Sequence, residues 1–224
     1  MNKRKTIYAI IVFYAIAICS RYITNKTGIL SGMDNFFLKA VLEGMGPAIG
    51  ALVAMLIFKI PMQMSLKGNF KNIIIPLSIY WFLPIILITA VAYFTNLTFP
   101  VIGVTTILIY GLLEEIGWRG FLQQLLKPLP KFIGILIITI LWFIWHLDFS
   151  LTIGNLIFLG ILFLGSWGIG LVADKTNSLL AVAAFHSLNN FFTELNTQKI
   201  IILVILIVIW ILTIVYRRKL KVLT

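Results

Sequence analysis

"VIGVTTILIYGLLEEIGWRGFLQQLLK", residues 101–127, decides how this chain is read. Its first thirteen residues carry no charge and suit a helix in lipid, yet Glu114, Glu115 and Arg119 then fall within six residues. Each ionisable side chain at membrane depth costs about 3 kcal/mol or more, so such groups face the protein interior and mark function.

The rest of the chain supports the membrane reading. Of its 224 residues, 61% are hydrophobic and 11% charged, outside the balance of a soluble domain. An apolar run of about 20 residues crosses the hydrocarbon core. Eight such runs are expected, at 6–24, 40–60, 73–95, 101–126, 132–147, 153–173, 179–194 and 200–216. The basic start followed by an apolar run resembles a signal peptide, but no small-residue cleavage site follows cleanly, and it reads as a retained first span. The fifth and seventh runs are short. The fourth ends in "RGFLQQLLK", an amphipathic tail able to leave the membrane and lie along its surface. The expected fold is all-α, a polytopic membrane bundle of about eight helices forming one domain over 1–224. No soluble domain, low-complexity linker or clear repeat interrupts it. Gly46 and Gly50, and the cluster Gly165, Gly168 and Gly170, read as sites of close helix packing.

Net charge is +11. The basic residues stand in connections and at the two ends, where cytoplasmic loops collect Lys and Arg, so topology and anionic lipid explain the charge and nucleic acid does not. With the N-terminus inside, Lys3, Arg4, Lys5, Lys59, Lys67, Lys71, Lys127, Lys131, Lys175, Arg217, Arg218, Lys219 and Lys221 lie inside. Only Arg21, Lys26, Lys39 and Lys199 then lie outside. This predicts a multi-pass protein of the cell membrane with both termini cytoplasmic. The single Cys19 excludes an intrachain disulfide and a cysteine-rich zinc site.

Ionisable groups inside the runs are few: Glu114, Glu115, Arg119, His146 and His186, joined by the polar Asn189 and Asn190. Residues four apart share a helix face, which pairs Glu115 with Arg119, His186 with Asn190 and Trp142 with His146. At about 1.5 Å per residue, Glu114, His146 and His186 reach inward from the same side to comparable depth, so a common polar pocket is expected. A blander reading stands beside it. Glu115 with Arg119 is also what a packing ion pair looks like. Trp118, Trp142 and Trp145 read as wall residues, and Asp148 as an interface residue.

The motifs of several protease chemistries are missing. There is no HExxH, no GxSxG and no pair of intramembrane aspartates. What remains is Glu, His, His and Asn, a set able to activate water and stabilise an oxyanion.

Three short motifs carry a family resemblance. "EEIGWRG", Glu114 to Gly120, is similar to the EExxxR motif of the CPBP (Abi and CAAX-protease) family of intramembrane endopeptidases. "WFIWH" resembles the family's FxxxH, with Trp142 where the family has Phe and His146 as its histidine. "HSLNN" matches HxxxN through His186 and Asn190. The motif-bearing core is about 100–195.

The resemblance implies a bundle of about eight helices around a polar pocket, and a peptidase acting on a membrane-embedded or membrane-associated peptide. Bacteriocin or signal-peptide processing and self-immunity are among the family's roles. By motif, Glu114 would be the general base and His146 would help position the water. His186 and Asn190 would form the oxyanion site, with Glu115 and Arg119 supporting. Family members have been described both as glutamate proteases and as metalloproteases. In the second case Glu114, His146 and His186 would hold Zn2+ with water in the fourth position. The alternative function is a non-catalytic immunity or regulatory protein that keeps the fold and binds a partner. A transporter using these groups as a proton relay is disfavoured, because no paired broken helices occur in matching halves.

Overall fold

A computed structural model describes residues 2–68, 73–74, 77–94, 101–191 and 197–222. Lys71, the span ends within 95–100 and 192–196, and Thr224 lie outside the described residues. The described residues form eight helices and no strand. They are α1 (Lys3–Lys26), α2 (Phe36–Phe58), α3 (the π-helical turn Ser78–Phe82 running into Leu83–Phe94) and α4 (Val101–Glu115, Ile116–Gln123 and Gln124–Leu126 end to end). Then come α5 (Lys131–Trp145), α6 (Ile153–Thr176), α7 (Leu179–Phe191) and α8 (Thr197–Val222). The protein is therefore an all-α bundle, and α1, α2 and α6 are long and apolar enough to cross a membrane.

Local chemistry sets the helix ends. The side chains of Asn2 and Asn35 accept from the amides of Arg4 and Leu38, at 3.1 and 2.9 Å, and so start α1 and α2. Thr152 does the same for α6 through Asn155. Lys59 and Asn177, at φ 48° and 49°, close α2 and α6 in the left-handed conformation.

Packing builds the bundle pair by pair. α1 lies along α2, α2 along α4, α4 along α7, and α6 against both α5 and α7. Small residues permit this closeness. A Cβ on Gly46 would lie 3.0 Å from the Ala17 carbonyl oxygen, which gives the GxxxG of α2 its role against α1. At Gly117 a Cβ would come within 2.7 Å of the Pro47 carbonyl oxygen, so α4 reaches α2 only because that residue is glycine. The core at this crossing is aromatic. Phe13 packs edge-on against Trp118 at 5.5 Å, and Trp118 meets Trp145 at 6.1 Å.

The outside is apolar. Leu56, Leu156, Leu164 and Leu212 are all more than 60% exposed. Apolar surface of this extent is stable when lipid covers it. The tail of α4 differs from the expectation of a surface-lying segment. Arg119, Gly120, Phe121, Leu122, Gln124 and Leu126 are buried. The π-helical winding over Ile116–Gln123 carries the helix on through the core, and π segments recur at functional sites.

Candidate active site

Glu114, His146, His186 and Asn190 come from α4, α7 and the end of α5, and all four line one cavity of about 410 Å³. Tyr110, Trp142, Gly165 and the apolar Phe158, Ile161 and Leu162 complete its wall. Glu115 and Arg119 stand behind it, both fully buried.

Each polar group is held by a specific partner. The Trp142 indole N–H donates to Glu114 Oε2 at 2.9 Å, and the Tyr110 phenol faces the same carboxylate. This leaves Oε1 of Glu114 as the acceptor not engaged by Trp142. His146, which caps α5, lies with Nδ1 2.7 Å from the Trp142 carbonyl oxygen. A carbonyl only accepts, so Nδ1 carries the hydrogen and Nε2 is the ring atom available to the cavity. His186 Nδ1 lies 2.6 Å from Glu115 Oε1, again fixing the ring and leaving Nε2.

Glu115 is the hub behind the site. One oxygen takes the His186 N–H. The other lies 3.3 Å from Arg119 Nε, as an ion pair and not an aligned hydrogen bond. Arg119 Nη1 and Nη2 have no hydrogen-bond partner among the described residues. The guanidinium instead stacks 4.9 Å from the Trp142 ring. A chain of contacts thus runs from Arg119 through Glu115 to His186, and from Arg119 through Trp142 to Glu114.

Three features were not visible in the sequence. Trp142, read there as a wall residue, is a hydrogen-bond donor to Glu114, which the phenylalanine of the family motif could not be. Tyr110, one helical turn before Glu114, had an i+4 spacing that could have flagged it. Glu115 supplies His186 with the carboxylate partner that the linear sequence did not show. Arg21, placed outside by the alternation of the spans, stands on α1 with its guanidinium 4.3 Å over the Trp145 ring. Asp148 lies past α5, and its carboxylate accepts from the Ser150 hydroxyl at 2.8 Å, which holds its pKa below the usual range. It closes a turn.

The zinc alternative requires Glu114, His146 and His186 to converge. Among the described residues no three His, Cys, Asp or Glu side chains are arranged to hold a metal ion, and one oxygen of Glu114 already accepts from Trp142. As arranged, these residues do not fit a three-ligand zinc site.

Residues 96–192, under half of the chain, match the family model described as Rce1-like, the type II CAAX prenyl endopeptidases. All three motifs fall inside this segment, and the match is consistent with the CPBP and CAAX-protease family that they resemble. No curated protein matches the chain.

Proposed function

We propose that this protein is an intramembrane endopeptidase that hydrolyses a peptide bond in a membrane-associated peptide or protein. The observation that carries the reading is the cavity itself. A carboxylate, two imidazoles and a carboxamide from three separate elements meet in one apolar-walled space, each imidazole with Nδ1 already committed.

The roles follow from those commitments. Glu114 Oε1 takes a proton from water as the water oxygen bonds to the scissile carbonyl carbon. His146 Nε2 accepts the water's second hydrogen and orients it. The carbonyl oxygen, now an anion, is met by the Asn190 amide and by Nε2–H of His186, which as an imidazolium donates from both ring nitrogens, because donors aimed at developing charge lower the barrier. The C–N bond then breaks, and Glu114 returns its proton to the leaving nitrogen. Glu115 and Arg119 do not reach the cavity. They hold His186 and, through the Trp142 ring, the wall that fixes Glu114. Phe158, Ile161 and Leu162 favour an apolar group beside the scissile bond.

We place the protein in the cell membrane as a multi-pass chain with both termini cytoplasmic, on the bias of basic residues toward one side. The functional test compares peptides of the membrane and secreted fractions from cells carrying wild type or Glu114→Gln at equal protein level. A precursor that accumulates, with loss of its product, supports the reading. If a protective or signalling phenotype persists with Glu114→Gln and no peptide changes, the protein acts as a non-catalytic binding partner.

A further inference from the structure

At the end of the bundle where α1 begins and α2 and α4 end, a second cavity of about 440 Å³ opens. Lys5 and Lys59 line it, together with Gln63, Gln124, Pro61 and Pro128. Neither lysine has a carboxylate partner among the described residues, where the ion pairs are Glu115 with Arg119 and with His186, and Lys131 with Asp174. Among the described residues no acidic side chain lines the cavity. A neighbouring cavity beside Gln123 differs in this respect, because its Lys131 is neutralised by Asp174 at 3.2 Å.

Gln124 makes the site more than a pair of surface cations. It is 8% exposed, and its Nε2 donates to the Arg119 carbonyl oxygen at 2.9 Å. That bond fixes the amide, and Oε1 is left buried without a donor. A buried acceptor with no donor is costly, by about 1–3 kcal/mol, unless something supplies one. The cavity therefore offers two positive charges and, at Gln124, a buried acceptor without a donor, and asks for an anion that also carries a hydrogen-bond donor.

We propose that this cavity binds the headgroup of an anionic glycerophospholipid, with the phosphodiester on Lys5 and Lys59 and a headgroup hydroxyl donating to Gln124 Oε1. Phosphatidylglycerol has this chemistry. Phosphatidylcholine has no donor and brings a cation toward two lysines. The surroundings favour a lipid over a soluble ester. Within one turn of Lys59, α2 exposes Leu56 at 78% and Ile57 at 60%, a path for an acyl chain leading from the headgroup. The inference does not depend on the catalytic reading.

Native mass spectrometry of the full chain in neutral detergent, titrated with phosphatidylglycerol or phosphatidylcholine, tests it. We expect one phosphatidylglycerol to bind at least about tenfold more tightly than phosphatidylcholine. Lys5→Gln should weaken it about fivefold, and Lys5→Gln with Lys59→Asn about thirtyfold, the effect of losing one and two interfacial charges. Asn is chosen at 59 because it tolerates the left-handed backbone. Lys131→Gln should change nothing. Competition by millimolar glycerol 3-phosphate as effective as by lipid keeps the headgroup chemistry and overturns the lipid assignment. Equal binding of the two lipids, or unchanged binding in Lys5→Gln and in the double variant, overturns the site.

Discussion

Glu115 and Arg119 form a pair, but the structure makes them unequal, and that inequality can be measured. Glu115→Gln leaves the Arg119 guanidinium fully buried without its ion-pair partner, held only by the Trp142 face at 4.9 Å and the more distant charge of Glu114. A guanidinium cannot shed its proton, so the charge stays. Stranding one member of a buried pair costs about 3–5 kcal/mol. Arg119→Gln leaves Glu115 with the His186 N–H at 2.6 Å, and a carboxylate can also take up a proton. Its loss is closer to that of one charged hydrogen bond, about 1.5–3 kcal/mol. Glu115→Gln should therefore be the less stable variant by about 2 kcal/mol. At about 2–4 °C per kcal/mol for a chain of this size, its Tm should lie about 4–8 °C below that of Arg119→Gln. Thermal unfolding of both in the same detergent, followed by tryptophan fluorescence, gives the order. The double variant Glu115→Gln with Arg119→Gln should recover stability over Glu115→Gln alone. If Arg119→Gln is the less stable single variant, the hub role of Glu115 is refuted.

Trp142→Phe restores the family's residue but deletes the N–H held by Glu114. We expect kcat to fall about tenfold to a hundredfold, from losing one hydrogen bond to a charged group, with KM and protein yield near wild type; an unchanged kcat would remove Trp142 from the mechanism. Gly117→Ala should cost about 1–3 kcal/mol by forcing a Cβ against Pro47, seen as a drop in Tm, and a neutral result would contradict the crossing of α4 over α2. Activity should survive chelation; elemental analysis showing one zinc per chain, with activity lost on chelation and restored by zinc, would overturn the metal-free reading.

Much of the bundle was legible because lipid imposes a simple rule on sequence. Runs such as 153–173 must be apolar and long, and the helix Ile153–Thr176 follows directly. The polar residues were legible for the converse reason, since nothing but protein can face Glu114 or His186 at that depth. The tail after Arg119 was not. Its amphipathic pattern is equally that of a surface helix, and only the π-helical winding and the packing of Phe121 and Leu122 decide that it stays inside. Side-chain pairings across helices were also hidden. The bond from Trp142 to Glu114 spans 28 residues, and that from His186 to Glu115 spans 71, distances over which periodicity carries no information.

The most direct measurement incubates the purified protein in lipid with a candidate membrane peptide in water enriched in oxygen-18. Wild type should yield a product whose new C-terminal carboxyl carries one heavy oxygen, because water is the nucleophile. Glu114→Gln should slow its appearance by about 10²–10⁴-fold, the range of a lost general base, while the peptide still binds. Turnover by Glu114→Gln at the wild-type rate would contradict the account, whatever the other residues show.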